Sequence, residues 1–209
     1  MQYKILIPAR GGSKRIPNKN MIDVNGTPLI SYVIEECKKL TDSVYVSSDS
    51  ADILNYSIAL GVNAITRPAD LSTDFSKTED VVKHFLSETN TIGIFIVVQP
   101  TSPLLKAEYI QEGIEMLSKF DSIISVVEET PFYWSKGVPV NFSLGTRGRT
   151  QDRDPWYREN GAFYITTASN FKNGMVLQNG SVGHIVMDKY DSIDVDNLDD
   201  LKVVRRLLK

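Results

Sequence analysis

A chain of 209 residues is long enough for one domain with an appendage, and 42% hydrophobic with 23% charged residues is the composition of a globular protein with a sizeable core. The formal net charge of −3 removes the electrostatic reason to expect nucleic acid as a partner, and the longest apolar run, Ile92 to Val98, is far too short to span a bilayer. A single cysteine, Cys37, allows neither an internal disulfide nor a cysteine metal site, and no signal-peptide pattern leads from Met1, so a cytoplasmic location is expected.

The first element is Tyr3 to Pro8, a short apolar run closed by proline and then glycines, which predicts a buried strand. Gly11 to Gly26 reads as polar loop. Thr27-Pro28 predicts a helix start, with threonine as N-cap and proline in the first turn, and Leu29, Val33, Cys37 and Leu40 follow at helical spacing. Cys37 on that apolar face is expected to fill core. Ser43 to Ser47 predicts a second strand and Ser50 to Leu60 a helix stopped by Gly61.

Ser76-Lys77-Thr78-Glu79 has the form of a capping box ahead of Val81, Val82, Phe85 and Leu86. Ile92 to Val98 predicts a central strand buried on both faces. Glu108 to Lys119 reads as helix and Ser122 to Val127 as strand; regularity then lapses from Pro131 to Asp154. Gly161 to Thr166 and His184 to Met187 resume strand character, and Asn197 is placed to cap a last helix carrying Leu201, Val204 and Leu208.

This alternation predicts an α/β fold: a Rossmann-like, mainly parallel sheet with helices on both faces, one domain over residues 1–209, and a short irregular arm over 131–157. Ligands of such sheets bind beyond the carboxyl ends of the strands, which directs attention to the loops after Pro8, after Val98 and around Asp194.

The first loop, Ala9-Arg10-Gly11-Gly12-Ser13-Lys14-Arg15-Ile16-Pro17-Asn18-Lys19-Asn20, concentrates four cations beside two glycines. Such a loop suits phosphate, with backbone N–H groups and charged side chains converging on it; a solvated basic turn is the plain alternative. It is neither a Walker A loop nor a dinucleotide Gly-x-Gly-x-x-Gly. Asp194 and Asp196 alternate on an extended segment and so share a side, where their repulsion is relieved by a hard cation such as magnesium. A strand-end acid pair before a capped helix is the alternative there. Asp199 and Asp200 fit first-turn helix acids, and Asp49 is either a turn acid or a contact to nucleotide or metal.

The order of these residues resembles the CMP-N-acetylneuraminate synthetase family of cytidylyltransferases. Ile7 to Lys14 followed by Lys19-Asn20 is similar to its phosphate-loop signature, and Gln99-Pro100-Thr101-Ser102-Pro103-Leu104 to a second block, with Leu105-Lys106 where the family has arginine. Asn160-Gly161-Ala162-Phe163-Tyr164, Arg149-Thr150-Gln151-Asp152, Arg67-Pro68-Ala69-Asp70-Leu71 and Ser192 to Asp196 continue the likeness in family order over nearly the whole chain.

The resemblance implies transfer of CMP from CTP to the anomeric hydroxyl of an acidic 2-keto-3-deoxy sugar, with pyrophosphate released. It implies catalytic roles for Arg10 and Lys19, and nucleotide binding by Ala9, Arg10, Gly11, Gly12, Ser13, Asn20 and Arg67. Sugar binding falls to Gln99, Thr101, Ser102, Gln151, Asn160, Gly161, Ala162 and Tyr164, with Arg147, Arg149, Arg153 or Arg158 meeting the sugar carboxylate. Mg2+ is the implied cofactor, on Asp194 and Asp196, and a homodimer is the implied assembly, although the arm is short. A non-catalytic nucleotide-binding module and an octulosonic-acid cytidylyltransferase are the alternatives. His184 and the aromatic Phe132, Tyr133 and Trp134 are assigned to packing.

Overall fold

A computed structural model describes residues 2–209; Met1 lies outside it. Seven strands form the main sheet: β1 (Tyr3–Pro8), β2 (Val44–Ser48), β3 (Asn63–Thr66), β4 (Ile94–Val98), β5 (Ser122–Glu129), β6 (Trp156–Thr167) and β7 (Val182–Met187). Their spatial order is β7-β5-β6-β4-β1-β2-β3. Every neighbouring pair is parallel except those of β6, which runs antiparallel to both β4 and β5. The mainly parallel sheet read from the alternation is therefore what the chain builds.

The described residues form six α-helices, α1 (Leu29–Lys38), α2 (Ala51–Ala59), α3 (Thr78–Glu88), α4 (Ala107–Met116), α5 (Ala168–Gly174) and α6 (Leu198–Leu207), of which the first five pack on the sheet. Period-two alternation sorts the strand residues between two cores. Ile5, Ile7, Val44, Val46, Ile96 and Val98 face Ile30, Val33, Ile34 and Cys37 of α1, Ile53 of α2, and Ile110 and Ile114 of α4. Leu6, Phe95 and Val97 face the other way, onto Val81, Val82, Phe85 and Leu86 of α3 and Phe171 of α5. Cys37 is buried core, as expected.

Three local readings are corrected. Thr27-Pro28 does not open the first helix: it pairs with Asp23–Val24 as a two-residue hairpin whose turn residues, Asn25 (φ 54°) and Gly26 (φ 88°), both lie in the left-handed region. Helix α1 therefore starts at Leu29, with Pro28 in the cap position. Ser76 makes no capping box either. Its hydroxyl accepts from the Thr73 N–H at 3.0 Å and donates to the Asp70 carbonyl at 3.1 Å, which leaves Lys77 at the cap of α3. Strand β4 begins at Ile94 rather than at Ile92, which is exposed.

A third apolar cluster sets the site. Ile16 of the basic loop packs with Val24, Leu29, Val195, Leu201 and Val204, tying that loop to the Asp194–Asp196 segment and to α6. The Asn197 cap is the one expected: its side chain accepts from the Asp199 and Asp200 N–H groups at 2.8 and 3.1 Å, and Asp200 returns a bond to complete a capping box.

Candidate active site

β1 lies between β2 and β4, and the chain leaves β1 towards β2 on one side and reaches β4 later on the other. This reversal of strand order opens a crevice at the carboxyl ends of β1 and β4. A cleft of about 480 Å³ sits there, walled by Arg10, Ser13, Lys14, Arg15, Lys19 and Asn20 from the basic loop, Arg67 after β3, Ser76 to Thr78 at the start of α3, and Gln99 to Thr101 after β4.

Each cation of the loop has a carboxylate partner. Arg10 Nη1 and Lys14 Nζ reach the two oxygens of Asp74 at 3.0 and 2.6 Å. Arg15 Nη1 and Lys19 Nζ reach the two oxygens of Asp196 at 2.7 and 3.4 Å. Lys19 also donates to the Val195 carbonyl at 2.7 Å, and its side chain is only 14% exposed, so its ammonium is held rather than free. Asn20 is buried and spans the loop, donating to the Arg10 carbonyl at 2.9 Å.

The two glycines have different jobs. A Cβ on Gly11 would stand 2.9 Å from Ser50 Cβ, and the Gly11 N–H is taken by Asp49 Oδ1 at 2.9 Å. Gly11 thus permits close packing on the turn before α2, and Asp49 serves as its turn acid. A Cβ on Gly12 would meet nothing within 4 Å. Ala9 is fully buried, and its N–H continues the sheet by donating to the Ser47 carbonyl.

Arg67 is buried, donating through Nη2 to the Ser47 carbonyl at 2.8 Å, while its Nε finds no partner. Burial holds its pKa below the usual arginine value, Asp49 opposing and Arg10 adding to the shift. Asn20 Oδ1 and Ser47 Oγ are likewise buried and unpaired.

Val195 is fully buried, which turns the flanking Asp194 and Asp196 to the opposite side of the segment. Burial raises the Asp194 carboxyl above its usual value; Thr101 beside it pulls downward, the Asp196 charge pushes up again, and Lys19 pulls down. Burial acts upward on Asp196 as well, but Arg15 and Lys19 outweigh it and hold that carboxyl below its usual range. No group of three or more His, Cys, Asp or Glu with metal-holding geometry occurs among the described residues. Two carboxylates on one side of the segment have the oxygen chemistry that suits a hard cation, and both Asp196 oxygens are held by Arg15 and Lys19.

Of the expected sugar contacts, Gln99 and Thr101 belong to the cleft lining, whereas Ser102, Gln151, Asn160, Gly161, Ala162 and Tyr164 do not. Ser102 is buried. Gln99 donates its N–H to the Ala162 carbonyl at 2.9 Å, so the second block is fastened to the Asn160–Tyr164 segment. That segment carries a register shift in β6, with Gly161 at φ 73° and the Asn160 side chain accepting from the Ala162 N–H at 3.1 Å. The Tyr164 hydroxyl donates to Glu159 at 2.6 Å, and burial first, then the charges of Glu159, Glu79 and Asp194, push its pKa up. Gln151 is exposed on the arm, in a turn where Arg149 pairs with Asp152 at 2.7 Å.

The candidate carboxylate readers are all engaged elsewhere. The guanidinium carbons of Arg147 and Arg153 each lie 4.1 Å from the Phe132 ring centroid, and Arg158 pairs with Glu129 at 2.8 Å. Lys106 does not restore the expected charge at Leu105, because it pairs with Asp191 at 2.7 Å while Leu105 is core. His184 packs its ring 4.9 Å from that of Tyr157. Asp74 and Glu159 are the polar groups the sequence reading missed; Asp74 sits in a Ser/Thr loop with no motif of its own, and only its place after Arg67 hinted at it.

Residues 4–143 of the chain match the model of the family described as cytidylyltransferase. The chain belongs to the cytidylyltransferase family. Among curated relatives of this cytidylyltransferase, N-acylneuraminate cytidylyltransferase A of Danio rerio is 34% identical over 203 residues, covering 91% of this chain and 47% of that protein. The N-acylneuraminate cytidylyltransferase of Streptococcus agalactiae serotype III (strain NEM316) is 32% identical over 93% of this chain and 50% of its own length. The chain thus spans about half the length of these relatives. Pseudaminic acid cytidylyltransferase of Campylobacter jejuni, 30% identical, is matched over 100% of this chain and 97% of that one.

Among solved structures, CMP:2-keto-3-deoxy-manno-octonic acid synthetase complexed with CTP superposes with a TM-score of 0.75 at 17% identity, over 100% of this chain and 98% of that one. The bifunctional IspDF of Campylobacter jejuni gives 0.71 at 13%, over 97% and 54%. At those identities both speak for the fold alone. No helix among the described residues is long and apolar enough to cross a membrane.

Proposed function

We propose that this cytidylyltransferase transfers CMP from CTP to the anomeric hydroxyl of an acidic, nine-carbon 2-keto-3-deoxy sugar of the sialic-acid class, releasing pyrophosphate. The observation that carries this reading is a pair of buried, unpaired polar atoms, Asn20 Oδ1 and Arg67 Nε, on residues that wall the basic cleft. Buried polar groups are nearly always paired. An acceptor and a donor left open together suit a ligand edge that offers one of each, as a pyrimidine does, with the loop cations placed for its phosphates. The names of the relatives supply the sugar class.

Arg10 and Lys19 would hold the phosphate chain and stabilise the charge that builds on departing pyrophosphate, with Ala9, Gly11, Gly12 and Ser13 shaping the loop. Asp194 and Asp196 would hold magnesium, which when bound neutralises phosphate charge and makes the attacking hydroxyl more acidic. Positioning supplies most of the rest. Gln99, Thr101, Asn160 and Tyr164 would meet the sugar, with Ser102, Gly161 and Ala162 setting the backbone beneath it and Gln151 approaching from the arm. The reaction belongs in the cytoplasm, where CTP is made. A homodimer is supported by exposed apolar side chains on and beside the arm, Trp134, Val138, Val140, Leu144, Trp156 and Tyr157, which a second copy would cover.

Calorimetric titration with CTP, UTP, ATP and GTP, each with magnesium, tests the nucleotide, and phosphorus NMR of mixtures with sialic, legionaminic, pseudaminic and octulosonic acids identifies the product. CTP preference with a CMP-sugar resonance for a nine-carbon acid is expected. CTP binding without product from any acid would support the binding-module reading instead.

A further inference from the structure

The basic loop reaches out to a segment that none of the motifs includes. Arg10 Nη1 contacts Asp74 Oδ1 at 3.0 Å and also donates to the Thr73 carbonyl at 3.2 Å; Lys14 Nζ contacts Asp74 Oδ2 at 2.6 Å. One carboxylate therefore places an oxygen on each of two cations, as the oxygens of a phosphate would. Its loop is preformed: the Thr73 N–H donates to Ser76 Oγ at 3.0 Å, the Phe75 N–H to Thr73 Oγ1 at 3.3 Å, and Ser76 Oγ to the Asp70 carbonyl at 3.1 Å. The neighbouring Phe75 is 94% exposed, so no core packing fixes the position of Asp74. What holds Asp74 over the loop is its own turn and the two cations.

We infer that Asp74 is an internal competitor for the phosphate chain, occupying Arg10 and Lys14 whenever phosphate does not, and so sets both the phosphate affinity of the cleft and the ease with which pyrophosphate leaves. This rests on the reading of the cleft as a nucleotide site. Any anion that needs both cations must break both contacts with Asp74, and that cost is common to CTP and pyrophosphate but absent for cytidine, which brings no phosphate. As pyrophosphate departs, Asp74 recaptures the two cations and opposes rebinding. The lowered pKa of Asp74, caused mainly by Lys14 and secondly by Arg10, keeps it an anion through the neutral range.

The test is calorimetry on the wild type, Asp74→Asn and Asp74→Glu with magnesium pyrophosphate, CTP and cytidine, together with pyrophosphate inhibition of turnover. Two partly exposed ion pairs correspond to a change of about three- to twentyfold in affinity. Asp74→Asn is expected to bind pyrophosphate and CTP tighter by one common factor in that range, with cytidine unchanged, pyrophosphate inhibition strengthened by the same factor, and Asp74→Glu close to wild type. Pyrophosphate binding to Asp74→Asn that is unchanged or weaker overturns the inference, as does an equal gain for cytidine. Wild-type protein that is folded yet binds no CTP would instead remove the nucleotide reading, and this inference with it.

Discussion

Replacing Arg67 by methionine should separate ligand binding from stability. The guanidinium is buried and makes one hydrogen bond, Nη2 to the Ser47 carbonyl at 2.8 Å, while Nε is left unpaired. Hydrogen bonds from a charged group contribute about 1.5–3 kcal/mol, so losing those offered to the nucleotide should weaken CTP roughly ten- to a hundredfold. Stability should respond differently. The variant loses one internal bond but also removes a buried cation with an unsatisfied N–H, and apolar replacement of such a group is often neutral or stabilising. Urea unfolding should therefore shift by no more than about 1 kcal/mol in either direction, given those opposing contributions. Calorimetric titration with CTP alongside a urea melt decides the matter. Clear destabilisation with unchanged CTP affinity would show that Arg67 is a structural cation and not a nucleotide contact.

Lys19→Ala removes an ammonium held by Val195 and Asp196, and kcat for CMP transfer should fall about a hundred- to a thousandfold while circular dichroism stays unchanged; near-normal turnover would strike it from the catalytic set. Asp194 should make the unliganded protein pH-sensitive. Its carboxyl is raised in the fold, so the folded state binds the proton more tightly than the unfolded state; the stability this contributes is full below the ordinary aspartate pKa and is lost as pH rises through the folded value. Asp194→Asn should then melt higher than wild type at neutral pH, with the gap closing in acid, and a gap that widens in acid would contradict the assignment. Asn197→Ala should cost about 0.5–2 kcal/mol in chemical denaturation through loss of the α6 cap. No measurable loss would mean that the capping box adds little to α6.

The layered sheet was legible because period-two apolar runs and period-3.6 runs alternate cleanly from Tyr3 to Val127. The antiparallel insertion of β6 was not, since a strand's hydrophobic pattern carries no direction. The shift of the first helix start from Thr27 to Leu29 had a readable signal in Asn25-Gly26, the residue pair that favours a two-residue hairpin. Helix α5 was missed because seven residues show too little periodicity, although Thr167 caps it by accepting from the Asn170 N–H at 3.1 Å. In the site, the cations of the first loop and the Asp194–Asp196 pair stood out by residue type and spacing. Their partners did not: that Arg15 answers Asp196 depends on segments brought together by Ile16 and Val195 in the third core cluster, and that Arg10 answers Asp74 depends on a turn 64 residues further along the chain. Neither could spacing tell that Lys106 turns away to Asp191, leaving Leu105 in the core where the family has arginine.

CMP transfer is tested most directly by pyrophosphate release from CTP and magnesium, recorded with and without each of sialic, legionaminic, pseudaminic and octulosonic acids. Release is expected to require CTP and one nine-carbon acid together and to collapse in Lys19→Ala. Folded, CTP-binding protein that releases no pyrophosphate with any of the four acids would contradict the proposed transfer.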